Sequence, residues 1–423
     1  MSSIVSVRNG APARRAFLKL LAATPLFATM ATRSFAAGIG KAAGNPYEKL
    51  GIRPLINARG TYTYVGGALE LPEVRRAVEL ASHQFVDMFE LQQAAGRRLA
   101  EISGAEYGMV TSGAAAAMST AVAAVLAGTD PDKIWQLPDT TGMKNEVVML
   151  GGRNAFDNAL RLAGGKLVLA PTQADLAGAI GPNTCLVYTT YRDERVQEAL
   201  KVTKAKGVPL LVDASSSVPP FENFTKFAKW GVDLYCISGG KGLGGPQCSG
   251  LLLGRKDLIE AGMANSAPWE GAVCRAMKVG KEEIMGILAA VEYWAKADLN
   301  ALNVVWRGRV ERVAKLAETV PGVTTVIHTP VGSNSYPTLT VNWDEAAFGM
   351  TVAQCVEELA AGTPRIEALS TLGNRCLIPP LRKPKPGVVN KLEVVSMTLQ
   401  PGEDLIVGRR IREVLNKARK SHA

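Results

Sequence analysis

Histidine is nearly missing from this chain of 423 residues: His83, His328 and His422 are all it has. Six cysteines (Cys185, Cys236, Cys248, Cys274, Cys355 and Cys376) contain no CxxC pair. Neither a zinc site nor a disulfide framework is written in that spacing, because both need clustered ligands or recurrent thiol pairs. Most of the cysteines read as buried thiols, although an oxidising compartment could still pair two of them. Long apolar runs are also missing, so no segment after the N-terminal leader can cross a bilayer as a helix. Charged residues make up 20% of the chain, hydrophobic residues 47%, and Gly and Pro number 42 and 23, which excludes a disordered, collagenous or coiled-coil chain. At about 150 residues per domain, the length predicts two or three globular domains.

Acid is absent from residues 1–37, which carry Arg8, Arg14, Arg15, Lys19 and Arg33. Of 48 basic residues, 43 remain against 38 acidic ones, so the formal charge of +10 falls to +5 without this leader. Beyond the leader there is no cluster of Lys and Arg interleaved with aromatics, and nucleic acid is not an expected partner. The leader itself has paired arginines (Arg14, Arg15), then Phe17 and Leu18, a weak apolar run broken by Lys19, Thr24 and Pro25, and small residues from Ser34 to Ala37. That is the layout of a signal peptide of the twin-arginine type rather than of a spanning helix. The expectation is a protein exported by the twin-arginine translocase to the periplasm and free of the membrane afterwards.

From about residue 70 to 260, short apolar runs alternate with amphipathic helical stretches, the rhythm of a parallel sheet covered by helices. EYGMVTS (106–112), EVVML (146–150), KLVLA (166–170), TCLVYTT (184–190), VPLLVDAS (208–215), VDLYCIS (232–238) and SGLLLG (249–254) read as seven strands. The stretch from Lys281 to about Glu318 reads as long and helical. After Val323, strands in TTVIHTP, YPTLTVNW and LEVVSMTL mix with helices at 352–361 and 403–419. The expected fold is α/β: a large domain (71–300) with a mostly parallel seven-stranded sheet, a smaller α+β C-terminal domain (301–423), and an N-terminal arm (38–70) after the leader.

Three segments carry chemistry. In VDLYCISGGKGLGGPQCSGLLLG (232–254), a strand delivers Ser238, Gly239, Gly240 and Lys241 into a glycine-rich turn. Lysine there suits a covalent amine, with small neighbours leaving room for a flat ring and keeping the ammonium partly desolvated; a surface hairpin with an incidental lysine would read the same. VPLLVDASSSVPP (208–220) ends an apolar strand with Asp213, which suits either a helix cap or a partner for a positive group in a ligand, such as a protonated pyridine nitrogen. In MVTSGAAAAMSTAVAAVL (109–126), Thr111, Ser112 and Gly113 lead into an alanine-rich helix whose free amides and dipole suit a phosphate.

A phosphate cradle, a strand-end aspartate and a strand-end lysine preceded by serine, in that order on one sheet, resemble the pyridoxal 5'-phosphate enzymes of the aspartate aminotransferase fold, fold type I. INARGTYTYVGG (56–67), the stretches 85–118 and 151–167, VDASSSVPP (212–220), SGGKGLGGPQCSGLLLGRKDLI (238–259), MKVGKEE (277–283) and MTLQPGED (397–404) are similar to the selenium-transferase-like branch, which contains selenocysteine synthase and D-glucosaminate-6-phosphate ammonia-lyase. The resemblance runs from about Asn45 to the C-terminus. It implies that Lys241 is the Schiff-base lysine and moves the substrate α proton, that Asp213 pairs with the pyridine nitrogen, and that Ser112, Gly113, Ala114 and Ser238 take the cofactor phosphate. Arg153 and Asn154 fall in the stretch near the ring face, Asn154 as a cofactor contact and Arg153, with Arg275, as a candidate substrate contact. Arg275, Lys278 and Lys281 are motif residues that could equally cap helices or line an interface, and Arg365 and Arg375 are candidates for a substrate carboxylate.

The chain departs from its relatives at Cys274, where glycine is usual, and at Trp269 and Glu270, in a segment expected to shape the pocket. The region by which selenium transferases grip tRNA is replaced by the leader, which argues against selenocysteine synthesis. The expected activity is that of a lyase eliminating a β substituent, of the ammonia-lyase type, on an amino acid or amino-sugar acid. Aminotransfer and racemisation are the alternatives. A non-catalytic ligand carrier would have no need of Lys241. A homodimer or larger homo-oligomer is expected, because fold-type-I relatives build each site from two subunits.

Overall fold

The computed structural model describes residues 45–371, 376 and 388–422. The leader, residues 38–44 of the arm, and Arg375 lie outside the described residues. Two units are distinguished, and the first, which ends at Pro54, holds the short helix Pro46–Lys49, whose cap Asn45 accepts at Oδ1 from the Tyr47 N–H (3.0 Å).

The second unit, from Leu55 onward, contains twelve strands among its described residues: β1 (Leu55–Ala58), β2 (Tyr107–Thr111), β3 (Glu146–Leu150), β4 (Lys166–Ala170), β5 (Thr184–Thr189), β6 (Leu210–Asp213), β7 (Leu234–Ser238), β8 (Gly250–Gly254), β9 (Thr324–His328), β10 (Thr338–Asn342), β11 (Arg365–Ser370) and β12 (Leu392–Val395). The seven runs read as strands between residues 106 and 254 form one sheet in the order β2-β8-β7-β6-β5-β3-β4. β4, β3, β5, β6 and β7 pair in parallel, and β8 is antiparallel to both β7 and β2. β5 and β6 are buried at every residue, as strands covered by helices on both faces must be. The α/β fold with a mostly parallel seven-stranded sheet follows directly from those runs.

Local signals set the helix ends. Asp87 caps the helix Met88–Ser103 by accepting from the Phe89 and Glu90 N–H groups (2.8 and 3.1 Å), and Gly104 stops it in a left-handed conformation (φ 75°). The helix Ala114–Ala127 is buried along most of its length. Its small side chains let it lie between β8 and the helix Lys256–Ala264. Among the described residues no helix is long and apolar enough to cross a membrane.

The smaller sheet has the order β1-β11-β12-β10-β9 and packs its own apolar core with the helices Leu299–Ala317, Val352–Ala361 and Glu403–His422. Two features differ from the sequence reading. The helical stretch from Lys281 to Glu318 is two helices, Lys281–Trp294 and Leu299–Ala317, because Asp298 caps a fresh start by accepting from the Asn300 and Ala301 N–H groups (2.9 and 3.1 Å). Strands β1 and β11 were not anticipated; β1 falls in the segment read as an arm and pairs in parallel with β11, Leu55 opposite Arg365. β11 (RIEALS) hides as a strand because a buried glutamate, Glu367, interrupts its apolar pattern.

Candidate active site

Strand register brings the three chemical segments to one edge of the large sheet. Gly250, the first residue of the reversed strand β8, is opposite Thr111 on one side and Ser238 on the other. Asp213, the last residue of β6, is opposite Cys236 on β7. The carboxyl ends of β2, β6 and β7 therefore converge, and this edge is where open α/β sheets bind ligands.

Lys241 and Asp213 meet at one serine. Lys241 Nζ donates to Ser215 Oγ (3.1 Å), and the Ser215 N–H donates to Asp213 Oδ1 (2.9 Å). Asp213 is 3% exposed, and Tyr188 donates its hydroxyl to Asp213 Oδ2 (3.2 Å). Asn154 Nδ2 donates to the Tyr188 oxygen (3.3 Å), while Asn154 Oδ1 accepts from the Phe156 N–H (2.8 Å). The Phe156 ring stands 5.8 Å from Lys241 Nζ. Burial holds the Lys241 ammonium below the usual lysine range, with Arg192 adding to the depression and Asp213 opposing it. Burial, with the Asp213 charge, pushes the Tyr188 phenol far up, so it is a permanent donor. An amine whose proton burial loosens, held beside an ordered carboxylate, suits covalent binding to an aldehyde followed by proton transfer.

The cradle is built from backbone. Gly113, at φ +147°, precedes the helix Ala114–Ala127 and supplies no side-chain cap, so the first-turn amides and the Ser112 hydroxyl are available to an anion. Gly250 lets this turn close on the sheet, because a Cβ there would lie 2.3 Å from the Gly113 carbonyl carbon. Ser238, across from Gly250, borders the same corner. These donors suit a phosphate, the buried Asp213 a pyridine nitrogen and Lys241 an aldehyde, so the residues present fit pyridoxal 5'-phosphate.

The glycines around Lys241 have a different use from the one expected. A Cβ on Gly239 would lie 1.9 Å from Ser249 Oγ and one on Gly242 2.1 Å from the Val218 carbonyl oxygen, so protein, not a ring, fills the space they leave. The turn is also strapped from outside: the Ala68 N–H donates to the Gly240 carbonyl (3.0 Å) and the Leu71 N–H to that of Gly244 (2.9 Å). Thus the INARGTYTYVGG stretch runs from β1 to the lysine turn.

The arginines proposed for substrate are placed elsewhere or already engaged. Arg153 forms an ion pair with the buried Asp157. Arg365 Nη2 donates to Glu367 Oε1 (2.6 Å) on the small sheet. Arg275 stands half-buried on a short turn, Arg275–Met277, and Lys278 is exposed. Lys281 donates from Nζ to the Ala81 carbonyl (3.0 Å) and pairs with Glu282. Trp269 packs edge-on against Phe89 and lines a cavity of about 520 Å³ with Gln92, Tyr107 and Met263, which includes neither Lys241 nor Asp213. Cys185, Cys236, Cys274 and Cys355 are buried free thiols, and Cys248 is an exposed one. Sequence reasoning missed Tyr188, Arg192, Ser215 and Phe156. Arg192 carried a signal, since it lies just beyond the carboxyl end of the buried parallel strand β5.

The aminotransferase class-V model matches residues 170–328. The chain is 33% identical over 388 residues to the 5'-C-glycyluridine monooxygenase-decarboxylase of a Streptomyces species, covering 87% of this chain and 92% of that protein. It is 29% identical over 341 residues to the D-glucosaminate-6-phosphate ammonia lyase of Salmonella typhimurium, covering 77% and 89%. A solved structure of a D-glucosaminate-6-phosphate ammonia-lyase superposes with a TM-score of 0.73 at 26% identity, over 89% of this chain and 99% of that one. With the geometry of the Lys241 cleft, these similarities lead to one conclusion: the chain belongs to the pyridoxal 5'-phosphate-dependent fold-type-I enzymes of aminotransferase class V, close to the D-glucosaminate-6-phosphate ammonia-lyases and the L-seryl-tRNA(Sec) selenium transferases.

Proposed function

We propose that this enzyme is a lyase that eliminates a β substituent, of the ammonia-lyase type, from an amino acid or amino-sugar acid. The observation that carries the reading is the chain of contacts from Lys241 through Ser215 to Asp213 at one sheet edge. When bound, the cofactor supplies an electron-withdrawing ring conjugated to the substrate α-carbon. The protein's own contribution is positional and acid–base. The amides of Gly113 and Ala114, with the hydroxyls of Ser112 and Ser238, hold the phosphate. Asp213 holds a proton at the ring nitrogen, and Tyr188, steadied by Asn154, keeps that carboxylate in place. Lys241 Nζ, whose proton burial loosens, takes and returns the proton at the substrate α-carbon. Phe156 screens the amine from one side.

The Streptomyces relative favours a second reading, decarboxylation with oxygen at the same lysine; aminotransfer and racemisation would use the same groups. Substrates are screened for release of ammonia and a keto acid, against carbon dioxide release with oxygen uptake; the first outcome carries the lyase reading and the second replaces it. Before that screen, borohydride reduction should fix pyridoxal phosphate to Lys241, and Lys241→Ala should retain no label.

The assembly we infer is at least a homodimer. Phe85, Trp269 and Leu80 stand exposed, and subunit contact would cover such apolar surface. A monomer by light scattering would exclude it. We also infer export by the twin-arginine route to the periplasm, on the strength of Arg14 and Arg15; that route carries folded proteins, so a cofactor loaded in the cytoplasm could travel with its enzyme. Retention of the precursor inside cells by Arg14→Lys with Arg15→Lys is the expected result.

A further inference from the structure

A second charge stands against Asp213. Arg192, three residues beyond the end of β5, donates from Nε to the Asp213 carbonyl oxygen (2.8 Å), and its Nη2 lies 3.8 Å from Asp213 Oδ1. Its side chain is 16% exposed, and its own carbonyl accepts from Lys226 Nζ (2.7 Å), so the guanidinium is fixed rather than swinging at the surface. The carboxylate assigned to the ring nitrogen thus shares its charge with a built-in cation before any ligand arrives. We propose that Arg192 is a positioning residue that tempers Asp213, fixing the strand-end loop and opposing by its charge the protons held at the ring nitrogen and at Lys241. The inference rests on the reading that Lys241 and Asp213 hold the cofactor.

Geometry gives the cation this reach. Tyr188 and Arg192 face Asp213 from the β5 end and Cys236 faces it from β7, its thiol 4.0 Å from Oδ1. Burial keeps that thiol protonated, so it adds no charge. Behind Arg192, Lys226 lies near Asp193 and Glu194. Arg192 is therefore the cation nearest to Asp213 among these groups, and its field acts on Lys241 in the same direction as burial does. A carboxylate tempered in this way would hold the ring-nitrogen proton less tightly, so that the bound ring would be a weaker electron sink, while the field of Arg192 likewise disfavours the ammonium form of Lys241.

The test uses the enzyme reconstituted with pyridoxal phosphate, as wild type, Arg192→Met, Arg192→Gln and Arg192→Lys. Borohydride labelling of Lys241 in the wild type comes first; no label there overturns the cofactor reading itself. With label present, the absorbance of the bound cofactor is titrated with pH, and the ring nitrogen is followed by nitrogen NMR of labelled cofactor. Arg192→Met should raise the midpoint by about one pH unit, a tenfold tighter hold on the proton, since a charge at 4–6 Å shifts titrations by that order. Arg192→Gln, which keeps a donor for the Asp213 carbonyl, should match Arg192→Met, and Arg192→Lys should return toward wild type. A purely structural role would move the charge-conserving variant as far as the neutral ones. Labelled enzyme whose neutral variants titrate with the wild type overturns the inference and leaves the cofactor reading standing.

Discussion

Two sites of buried charge in this protein are built on opposite plans. At the edge of the large sheet, Lys241 gives its hydrogen bond to a neutral hydroxyl, and Asp213 accepts from a backbone amide and a phenol. On the small sheet, Arg365 bonds Glu367 directly at 2.6 Å, and the Tyr64 hydroxyl donates to the other Glu367 oxygen (3.4 Å). On the small sheet the two charges answer each other directly and hold β11 in place. The large-sheet groups are held in position without a direct bond between lysine and carboxylate, and Arg192, 3.8 Å from Asp213 Oδ1, tempers that carboxylate without closing a short ion pair on it. A buried ion pair is thus a poor marker of chemistry, and a buried amine without a direct carboxylate partner is a better one.

The comparison breaks first at Lys241. Lys241→Ala should reduce turnover by about 10³-fold or more, since both covalent attachment and proton transfer are lost; a variant that keeps a tenth of wild-type turnover would move the chemistry elsewhere. Asp213→Asn keeps the acceptor for the Ser215 N–H and removes only charge, and should lower turnover by about 10²-fold with the fold intact by circular dichroism. Glu367→Gln should do the reverse. It should lower stability by about 1–3 kcal/mol in denaturant titration, because Arg365 is partly exposed and only part of a buried-pair penalty applies, while the bound-cofactor spectrum stays unchanged. Ser112→Ala should weaken cofactor affinity by about tenfold, the loss of one hydrogen bond to a charged group, read by absorbance titration.

The smallest expected effect has a definite sign. Burial depresses Lys241 in the folded protein below the usual lysine value of 10.5, so between the two values the unfolded chain binds more protons and stability rises with pH. Lys241→Met should therefore raise the melting temperature of cofactor-free protein at neutral pH. That gain should shrink as pH approaches 10.5. A gain independent of pH would mean that packing, not the buried ammonium, is responsible.

Much of the large domain was legible because its strands are short apolar runs ended by turn residues, a pattern that needs no distant information. β1 and β11 were not legible, since the four residues Leu55–Ala58, half of them polar or small, and six containing a buried glutamate become strands through pairing with distant segments, β1 with β11 and β11 also with β12. At the site, Lys241, Asp213 and Ser112 stood out as polar residues at the ends of apolar runs. Tyr188 and Ser215 did not, because a tyrosine inside a buried strand reads as core and one serine among three reads as a turn. Arg153 and Arg365 misled for the opposite reason, as their carboxylate partners, Asp157 and Glu367, had not been read as partners.

What the residue order determined by itself is the sheet of seven strands, the alanine-rich helix behind a glycine, and an amine and a carboxylate at strand ends, because hydrophobic period and turn chemistry act over a few residues. Tertiary structure alone decided which arginine meets Asp213, which glycines are filled by neighbouring protein, and which charges are neutralised. Those outcomes depend on strand order and register, which bring together side chains far apart in the chain and set the separations over which charge and hydrogen bonding act.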